Sequence, residues 1–552
     1  MVHAKTYMKK IINKIIKKSG INKHLFFMTP SMFMTGAAGM VGEYVLSTVS
    51  SYLNGTQIES FSLTIAIMLG MMGIGGFTQR FVSSEKLIEK FIYLEITLAI
   101  ASGFAPIAVY AAFSYTPEHF QLVYYFFAML IGFLVGFEIP LITRANEKYT
   151  TELKDNLSLV FLADYVGAFV GALFWVYFLL PYMDIVQIGF VLAVLNFAVA
   201  VMTYVYFKNL ESIKVGLGVL FGIFTAACFL VFGYFNAVDW AELVEQKMYP
   251  DPIVEIKKTK YQKLTITHSK TNDDIRLYIN NNTQFSSTDE VRYHEMLIHL
   301  PIAMLDGVPK KALMLGGGDG LAAREMKKYH GLEIDVIELD KEMFYWAKKQ
   351  PELLNLNKGS FLDFKEHEMS GYSGVREAIK EFDSFSGNNV FFTDASNFVN
   401  AFVQMGKEPV YDIIILDLPD PYSLGVNKMY TKQFYSRAMR MLKDGGVLVT
   451  QATSPFHSNK AFNMIGRTLK ASGFNAKPYW QNIPSFGEWG WWVASKGELK
   501  YNKIKAKTSY LTNALAESSF NFGKNTIHEN GDINTLMSPK LVQIYNKSWV
   551  ID

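Results

Sequence analysis

Two stretches hold acids where a ligand would arrive. "LMLGGGDGLAARE" (313–325) sets three glycines after an apolar run and places Asp319 among them. Such a turn brings backbone close to a nucleotide, usually at its phosphates, yet a carboxylate repels phosphate. "YDIIILDLPDP" (411–421) ends an apolar run on Asp417, with Asp420 close behind. Acids so placed hold cations or accept protons, although Asp-x-x-Asp-Pro by itself is also ordinary turn composition. Glu338 in "VIELD" follows the glycine turn near the offset of about 20 residues at which an acid holds a ribose diol. These residues point to a ligand with a nucleoside, positive charge and no phosphate, and a sulfonium nucleoside meets those terms. The turn is not G-x-G-x-x-G, which argues against a dinucleotide redox cofactor. The sequence shows no compact His/Cys set, so no metal is expected.

The surrounding rhythm says how these residues are positioned. "YQKLTITH" and "DIRLYINNNTQF" alternate apolar and polar residues, predicting a β-hairpin module over 257–287. "TDEVRYHEMLIHLPIAM" predicts a helix capped by Thr288. From "KALML" to "GWWVAS" strands and helices alternate, predicting a doubly wound, Rossmann-like α/β domain over 288–500. Ligands bind such sheets at the carboxyl ends of the strands. That rule selects Gly316–Gly320, Glu338, Asp394 and Asp417.

The N-terminal part is different. The chain of 552 residues is 50% hydrophobic with mean hydropathy +0.13, and its apolar runs lie in the first half. Seven runs, near 25–50, 60–79, 91–113, 121–143, 157–180, 185–206 and 214–236, are each long enough to cross a bilayer as a helix. This predicts a multi-span α-helical membrane domain over 25–237, a basic cytoplasmic N-terminus over 1–24 and a linker over 238–256. Lys and Arg gather before the first run (Lys5 to Lys23) and after the second, fourth and sixth (Arg80, Lys86, Lys90; Arg144, Lys148, Lys154; Lys208, Lys214). The positive-inside rule then puts the N-terminus in the cytoplasm and the part after seven crossings outside. Glu43, Glu95, Glu138 and Asp164 lie within the runs. They read either as carboxyls hydrogen-bonded between helices or as a cation-attracting path. The glycines of "GAAGMVGE" and "GAFVGAL" read as sites of close helix approach. A net charge of +3 singles out no partner, and no nucleic acid is expected. With one cysteine, Cys228, no disulfide forms within the chain.

Taken in order, "QFSSTDEVRYHEMLIHLP", "LMLGGGDGLAARE", "VIELD", "YDIIILDLPDP", "MYTKQFYSRAMRMLKDGGVLVTQATSP" and "IPSFGEWGWWVAS" resemble the spermidine synthase, or polyamine aminopropyltransferase, family across about residues 255–500. With the preceding spans the chain resembles the membrane-bound branch. The resemblance implies transfer of the aminopropyl group of decarboxylated S-adenosylmethionine to a diamine, typically putrescine, without a prosthetic group. It implies Asp417 as proton acceptor, Asp420 on the distal amine and Asp319 on the aminopropyl amine. Glu338 matches the ribose ligand, Asp394 and Ala395 the adenine-binding pair, and Gln262 a further nucleoside contact. Tyr293 and His294 match residues lining the substrate groove. A homodimer or tetramer is implied as well. Leu418–Pro419 replaces a Ser or Thr pair of soluble members, Phe486 stands where a tyrosine faces the amine, residues 366–389 form a polar insertion, and the extension 501–552 has no counterpart.

Two other readings stay open from the residues. One is a methyltransferase using intact S-adenosylmethionine, whose carboxylate Asp319 and Asp417 would repel. The other is a polyamine transport or sensing protein, motivated by the intramembrane acids. Because the family's substrates are made inside cells, the catalytic half is expected in the cytoplasm, against the crossing count.

Overall fold

The computed structural model describes residues 23–54, 57–147, 153–208 and 216–548. Most of the basic N-terminus, together with Lys148 and Lys214, lies outside the described residues. The chain divides into two compact units, Met1–Pro250 and Asp251–Asp552.

The first unit is helical, with α1 Lys23–Asn54, α2 Gln57–Thr78, α3 Leu87–Tyr115, α4 Phe120–Asn146, α5 Leu153–Phe174, α6 Ile185–Lys208 and α7 Leu217–Gln246. Six of the described helices are long and apolar enough to cross a membrane. α1 is not among them, and Thr35, Ser47, Thr48, Ser50 and Ser51 interrupt its apolar residues. Polarity is inverted relative to a water-soluble bundle: Leu122, Phe169, Phe221 and Phe235 are exposed, while Glu95 and Glu138 are buried. Glycine sets the tightest helix contacts. A Cβ on Gly36 would lie 2.1 Å from the Asp164 carbonyl oxygen, and one on Gly167 would lie 2.0 Å from that of Phe33. The small residues of "GAAG" and "GAFVG" thus bring α1 and α5 backbone to backbone, as in membrane helix pairs generally.

The second unit has two sheets. β1 Ile253–Lys258, β2 Lys263–His268, β3 Ile275–Ile279 and β4 Asn282–Ser286 form a four-stranded antiparallel meander in chain order. This is larger than the hairpin module expected from residue 257, and it draws on the stretch read as linker. α7 also runs on to Gln246 within that stretch. β1 shows no clean alternation of burial; its pairing with β2 makes it a strand.

The larger sheet has the order β11-β12-β10-β9-β5-β6-β8-β7. Its strands are β5 Lys311–Gly316, β6 Glu333–Glu338, β7 Lys365–Glu368, β8 Asn389–Phe392, β9 Tyr411–Asp417, β10 Leu442–Gln451, β11 Asn475–Ile483 and β12 Gly487–Ser495. Pairing is parallel from β10 to β7, and β11–β12 add an antiparallel edge. The central strands carry continuous apolar runs because both faces are covered. The polar insertion proves ordered: it supplies most of edge strand β7 and the helix Gly371–Lys380, with Val375, Ile379 and Phe382 buried.

Helix α8, Glu290–Ile302, carries Tyr293 and His294. Its N-cap is Asp289, not Thr288. The Asp289 carboxylate accepts from Ser485 N at 2.6 Å and Ser485 Oγ at 2.9 Å, while Thr288 Oγ1 turns to Ser286 Oγ.

The extension 501–548 lies on the catalytic unit. Buried Glu295 of α8 accepts from Ser509 N at 2.6 Å, Tyr510 N at 2.9 Å and Leu511 N at 2.8 Å. Farther along, buried Asn534 donates through Nδ2 to Asn427 Oδ1 at 2.9 Å and to the Tyr430 carbonyl at 3.0 Å. Glu295→Gln puts an amide N–H against a backbone N–H and is expected to cost about 2–3 kcal/mol. The checks are thermal melting and amide hydrogen exchange, with the loss of protection centred on 509–511. Glu295, His299 and Glu325 offer ligand atoms close enough together for a metal. Their atoms are committed to protein partners: Glu295 to the three amides, Glu325 to His299, Arg324 and Lys328, and His299 Nδ1 to Tyr329.

Candidate active site

The site forms where β5, β6, β8 and β9 end side by side. Gly316 stands opposite Asp417 across β5 and β9, and Gly317 N donates to the Asp417 carbonyl at 3.1 Å. Gly316, Gly317 and Gly320 have φ of +84°, +71° and +84°, a region that L side chains rarely enter. A Cβ on Gly318 would lie 2.6 Å from Glu338 Oε2, and one on Gly317 would lie 3.2 Å from Asp417 Oδ2. The glycines therefore let one loop touch the acids of two neighbouring strands.

At the end of β6, Glu338 Oε1 accepts from Asp340 N at 2.9 Å. Burial pushes the Glu338 carboxyl up to about 7. Thr259 Oγ1 donates to Asp340 Oδ2 at 2.7 Å and accepts from Gln262 N at 3.0 Å, so the loop before β2 reaches the end of β6. Thr393 N donates to the Glu338 carbonyl at 3.0 Å, which sets Asp394 and buried Ala395 beside it. Asp394 also caps the helix Ala395–Gln404 through Asn397 N at 3.1 Å, and pairs with Lys428 at 2.5 Å.

At the end of β9, Tyr293 OH donates to Asp417 Oδ1 at 2.8 Å. Burial, reinforced by the Asp319 charge, raises the Asp417 carboxyl to about 6; His294 and the Tyr293 hydroxyl act the other way. Asp319 is also raised, chiefly by burial, although Leu321 N donates to its Oδ1 at 2.9 Å. His294 is no free base. Its Nδ1 is 2.8 Å from Glu290 Oε2, and Arg324 grips Glu290 through two bonds of 2.8 and 2.9 Å. Burial alone would lower the His294 pKa, but Glu290 carries it up to about 9. The imidazolium is thus a fixed cation near Asp319 and Asp417.

This link gives a stability prediction. A histidine pKa raised from 6.5 to about 9 contributes stability that is complete below about pH 6.5 and lost as pH rises through 9. Glu290→Gln should flatten the melting temperature between pH 6.5 and 9.5 relative to the parent. An unchanged slope would remove His294 as its source.

On the loop after β9, Asp420 is raised to about 6 by burial, against hydrogen bonds from Tyr545 and Gln451. Gln451 Nε2 lies 3.0 Å from Asp420 Oδ1 and 2.9 Å from the Leu418 carbonyl. Tyr430 OH donates to the Pro419 carbonyl at 3.0 Å. Leu418–Pro419 therefore acts through backbone carbonyls, not hydroxyls. Phe486 packs edge-on to Tyr293 at 6.5 Å and against Trp489 at 5.3 Å. Trp491 stacks on Tyr479 and Trp492 is buried, so both are packing residues.

Of the residues singled out in this half of the sequence, Asp319, Glu338, Asp394 and Asp417 stand at strand ends, Asp420 on the loop after β9, Tyr293 and His294 on α8, and Gln262 just before β2 of the smaller sheet. Sequence reasoning missed Glu290 and Arg324, which hold His294, along with Gln451, Tyr430 and Tyr545. An acid one helical turn before His294 was a signal for the first; Tyr545 had none, being remote in sequence and outside the motifs.

A glycine turn and a set of acids thus gather at the carboxyl ends of a doubly wound sheet. The Spermine/spermidine synthase domain family matches residues 290–507. The Polyamine aminopropyltransferase of Oceanobacillus iheyensis is 32% identical over 520 residues, 93% of this chain and 95% of that protein. Polyamine aminopropyltransferase 2 of Aquifex aeolicus is 35% identical over 522 residues, 94% and 97% of the two chains. A solved spermidine synthase from Thermotoga maritima is 22% identical, covering 49% of this chain and 84% of that one, with a TM-score of 0.39. The chain belongs to the polyamine aminopropyltransferase family and is an enzyme of that family.

Proposed function

We propose that this enzyme transfers the aminopropyl group of decarboxylated S-adenosylmethionine to putrescine, giving spermidine and methylthioadenosine. The observation that carries this is that the glycine turn holding Asp319 is hydrogen-bonded to the end of β9 at Asp417, which gathers two half-buried acids suited to a ligand with ammonium and sulfonium charges. Glu338 holds the ribose; Asp394, Ala395 and Gln262 hold the base. Asp319 takes the aminopropyl ammonium and Asp420 the distal ammonium of the diamine.

The acceptor amine attacks the propyl carbon next to sulfur. A C–N bond forms, the C–S bond breaks and its electron pair stays on sulfur. The leaving group is a neutral thioether, so no general acid is needed. The proton of the attacking nitrogen goes to Asp417, held in place by Tyr293. A carboxyl near 6 is mostly ionised at neutral pH and still basic enough for this task.

The test gives the purified full chain decarboxylated S-adenosylmethionine and a panel of diamines and measures methylthioadenosine. No product above an Asp417→Asn control, with any diamine, sinks the proposal. Tighter binding of intact S-adenosylmethionine would instead favour a methyltransferase.

The helical unit anchors the enzyme in the bilayer as a multi-pass protein. Crossing by all seven helices would put the two ends of the unit on opposite sides, and crossing by six on the same side. We place the catalytic half in the cytoplasm with its substrates, and a reporter joined by a long linker after Asp552 reads the side. A second reading, transport of a cationic amine through the bundle, draws support from Glu95 and Glu138. Both are buried, and three of their four carboxylate oxygens have no hydrogen-bond partner. Uptake of labelled spermidine into vesicles that survives Glu95→Gln and Glu138→Gln would exclude it.

A further inference from the structure

We infer, resting on the reading of Asp420 as the distal-amine site, that Thr453 is a positioning residue for the acceptor. It acts through Asp420: its hydroxyl helps keep that carboxylate charged for an incoming ammonium.

Thr453 stands where β10 leaves the sheet. Ala452 N donates to the Gly490 carbonyl at 2.9 Å, and Gly490 N donates to the Thr453 carbonyl at 2.9 Å. Two residues after β10 thus face one residue of β12. That is a bulge, a device that re-aims side chains beside functional sites. Thr453 has a φ of +60°, and among the described residues it is the only β-branched one with a left-handed backbone. Glycine would adopt this conformation freely, whereas a branched Cβ holds it under strain. Such strain persists where the surroundings impose it, and it clusters at functional sites.

The bulge is tied to Asp420 by a single side chain. Thr453 N donates to Gln451 Oε1 at 3.0 Å, which fixes the way the Gln451 amide faces. Nε2 of that amide is thereby turned to Asp420 Oδ1 at 3.0 Å, the Leu418 carbonyl at 2.9 Å and the Tyr430 hydroxyl at 2.7 Å. The Thr453 side chain is fully buried, and its Oγ1 makes no hydrogen bond to another group. What it acts on is Asp420: burial raises that carboxyl, and Tyr545, Gln451 and Thr453 hold it down. The titratable groups that face Asp420 are the phenols of Tyr545, Tyr430 and Tyr293. Phenols carry no charge near pH 6, so none of them competes with an ammonium there.

The sign follows from the donor. A hydroxyl directed at a carboxylate favours its charged form. Without it, Asp420 should take up its proton at a higher pH and lose its hold on an ammonium there. A side chain that served only to shape the bulge would change melting temperature and leave this pH dependence in place.

The experiment measures the KM for putrescine from pH 5.5 to 8.5, with the melting temperature, in full-length Thr453→Val, Thr453→Ser, Thr453→Gly and Asp420→Asn. Thr453→Val keeps the branched shape and removes the hydroxyl. The acid-side rise in its KM should begin about one pH unit higher, the low end for a hydrogen bond to a charged group. The ratio of variant to parent KM should then be about five times larger at pH 6 than at pH 8.5. Thr453→Ser restores a hydroxyl and should bring the profile back toward the parent. Thr453→Gly relieves the strain, so it should melt higher than the parent while showing the same displaced profile as Thr453→Val. A parental pH profile in Thr453→Val, with Asp420→Asn strongly impaired, overturns the role of Thr453 and keeps Asp420 as the amine site. A profile in Thr453→Ser as displaced as that of Thr453→Val overturns the hydroxyl as its cause. An unchanged putrescine KM in Asp420→Asn overturns the amine-site reading, and the role of Thr453 with it.

Discussion

Asp417→Asn should lower kcat by about 10²–10⁴, the usual worth of a positioned general base, and leave nucleoside binding nearly intact. Asparagine keeps the shape and still accepts from Tyr293 OH, but cannot take up the amine proton. The pH profile adds an independent check. Asp417 has a pKa near 6 in the substrate-free site, and the ionised form is the active one. On the acid side, kcat/KM should therefore fall steeply below pH 6, where Asp417 and Asp420 both take up protons. In Asp417→Asn that limb should become shallower, with Asp420 alone contributing to it. Stopped-flow or coupled detection of methylthioadenosine between pH 5 and 9 measures both. A variant that loses activity but keeps the full steepness of the limb would assign the base elsewhere.

Asp319→Asn should have the next largest effect, on which cofactor is held. Among the described residues no cation is in hydrogen-bond contact with Asp319: its Oδ1 takes a backbone amide, the His294 charge acts on it only from nearby, and its carboxyl is raised by burial. Supplying an ammonium partner to such a group is favourable, and withdrawing the carboxylate should weaken decarboxylated S-adenosylmethionine by about 10–150-fold. The intact cofactor should gain in relative terms, because its own carboxylate no longer meets a like charge. Calorimetric titration with both compounds gives the ratio. If the ratio stays the same in the variant, discrimination does not lie at Asp319.

The nucleoside end of the site was legible for a physical reason. In a parallel sheet the strands end together, so an acid at the end of each apolar run must converge with the others. Asp319, Glu338, Asp394 and Asp417 obey that rule without any knowledge of side-chain packing. Tyr293 and His294 needed the family's motif order, because a helix preceding the sheet has no such geometric obligation. The remainder depended on long-range partners. β1 becomes a strand only through β2, and the insertion becomes β7 only because β8 offers an edge. The extension lacks any strong period of its own. Glu295 and Asn534 give it a fixed course, and each is an ordinary polar residue until its partners arrive. Thr288 was the expected cap by composition, but the helix starts one residue later, at Asp289, whose carboxylate is held by Ser485 and makes no capping bond.

The residues of the site span Gln262 to Tyr545, nearly the whole catalytic half, and a ribosome delivers them in that order. Residues 540–548 arrive last, and with them the Tyr545 hydroxyl on Asp420 and the Asn546 amide on the Tyr422 carbonyl. A chain cut short before them would leave the loop after β9 without either bond.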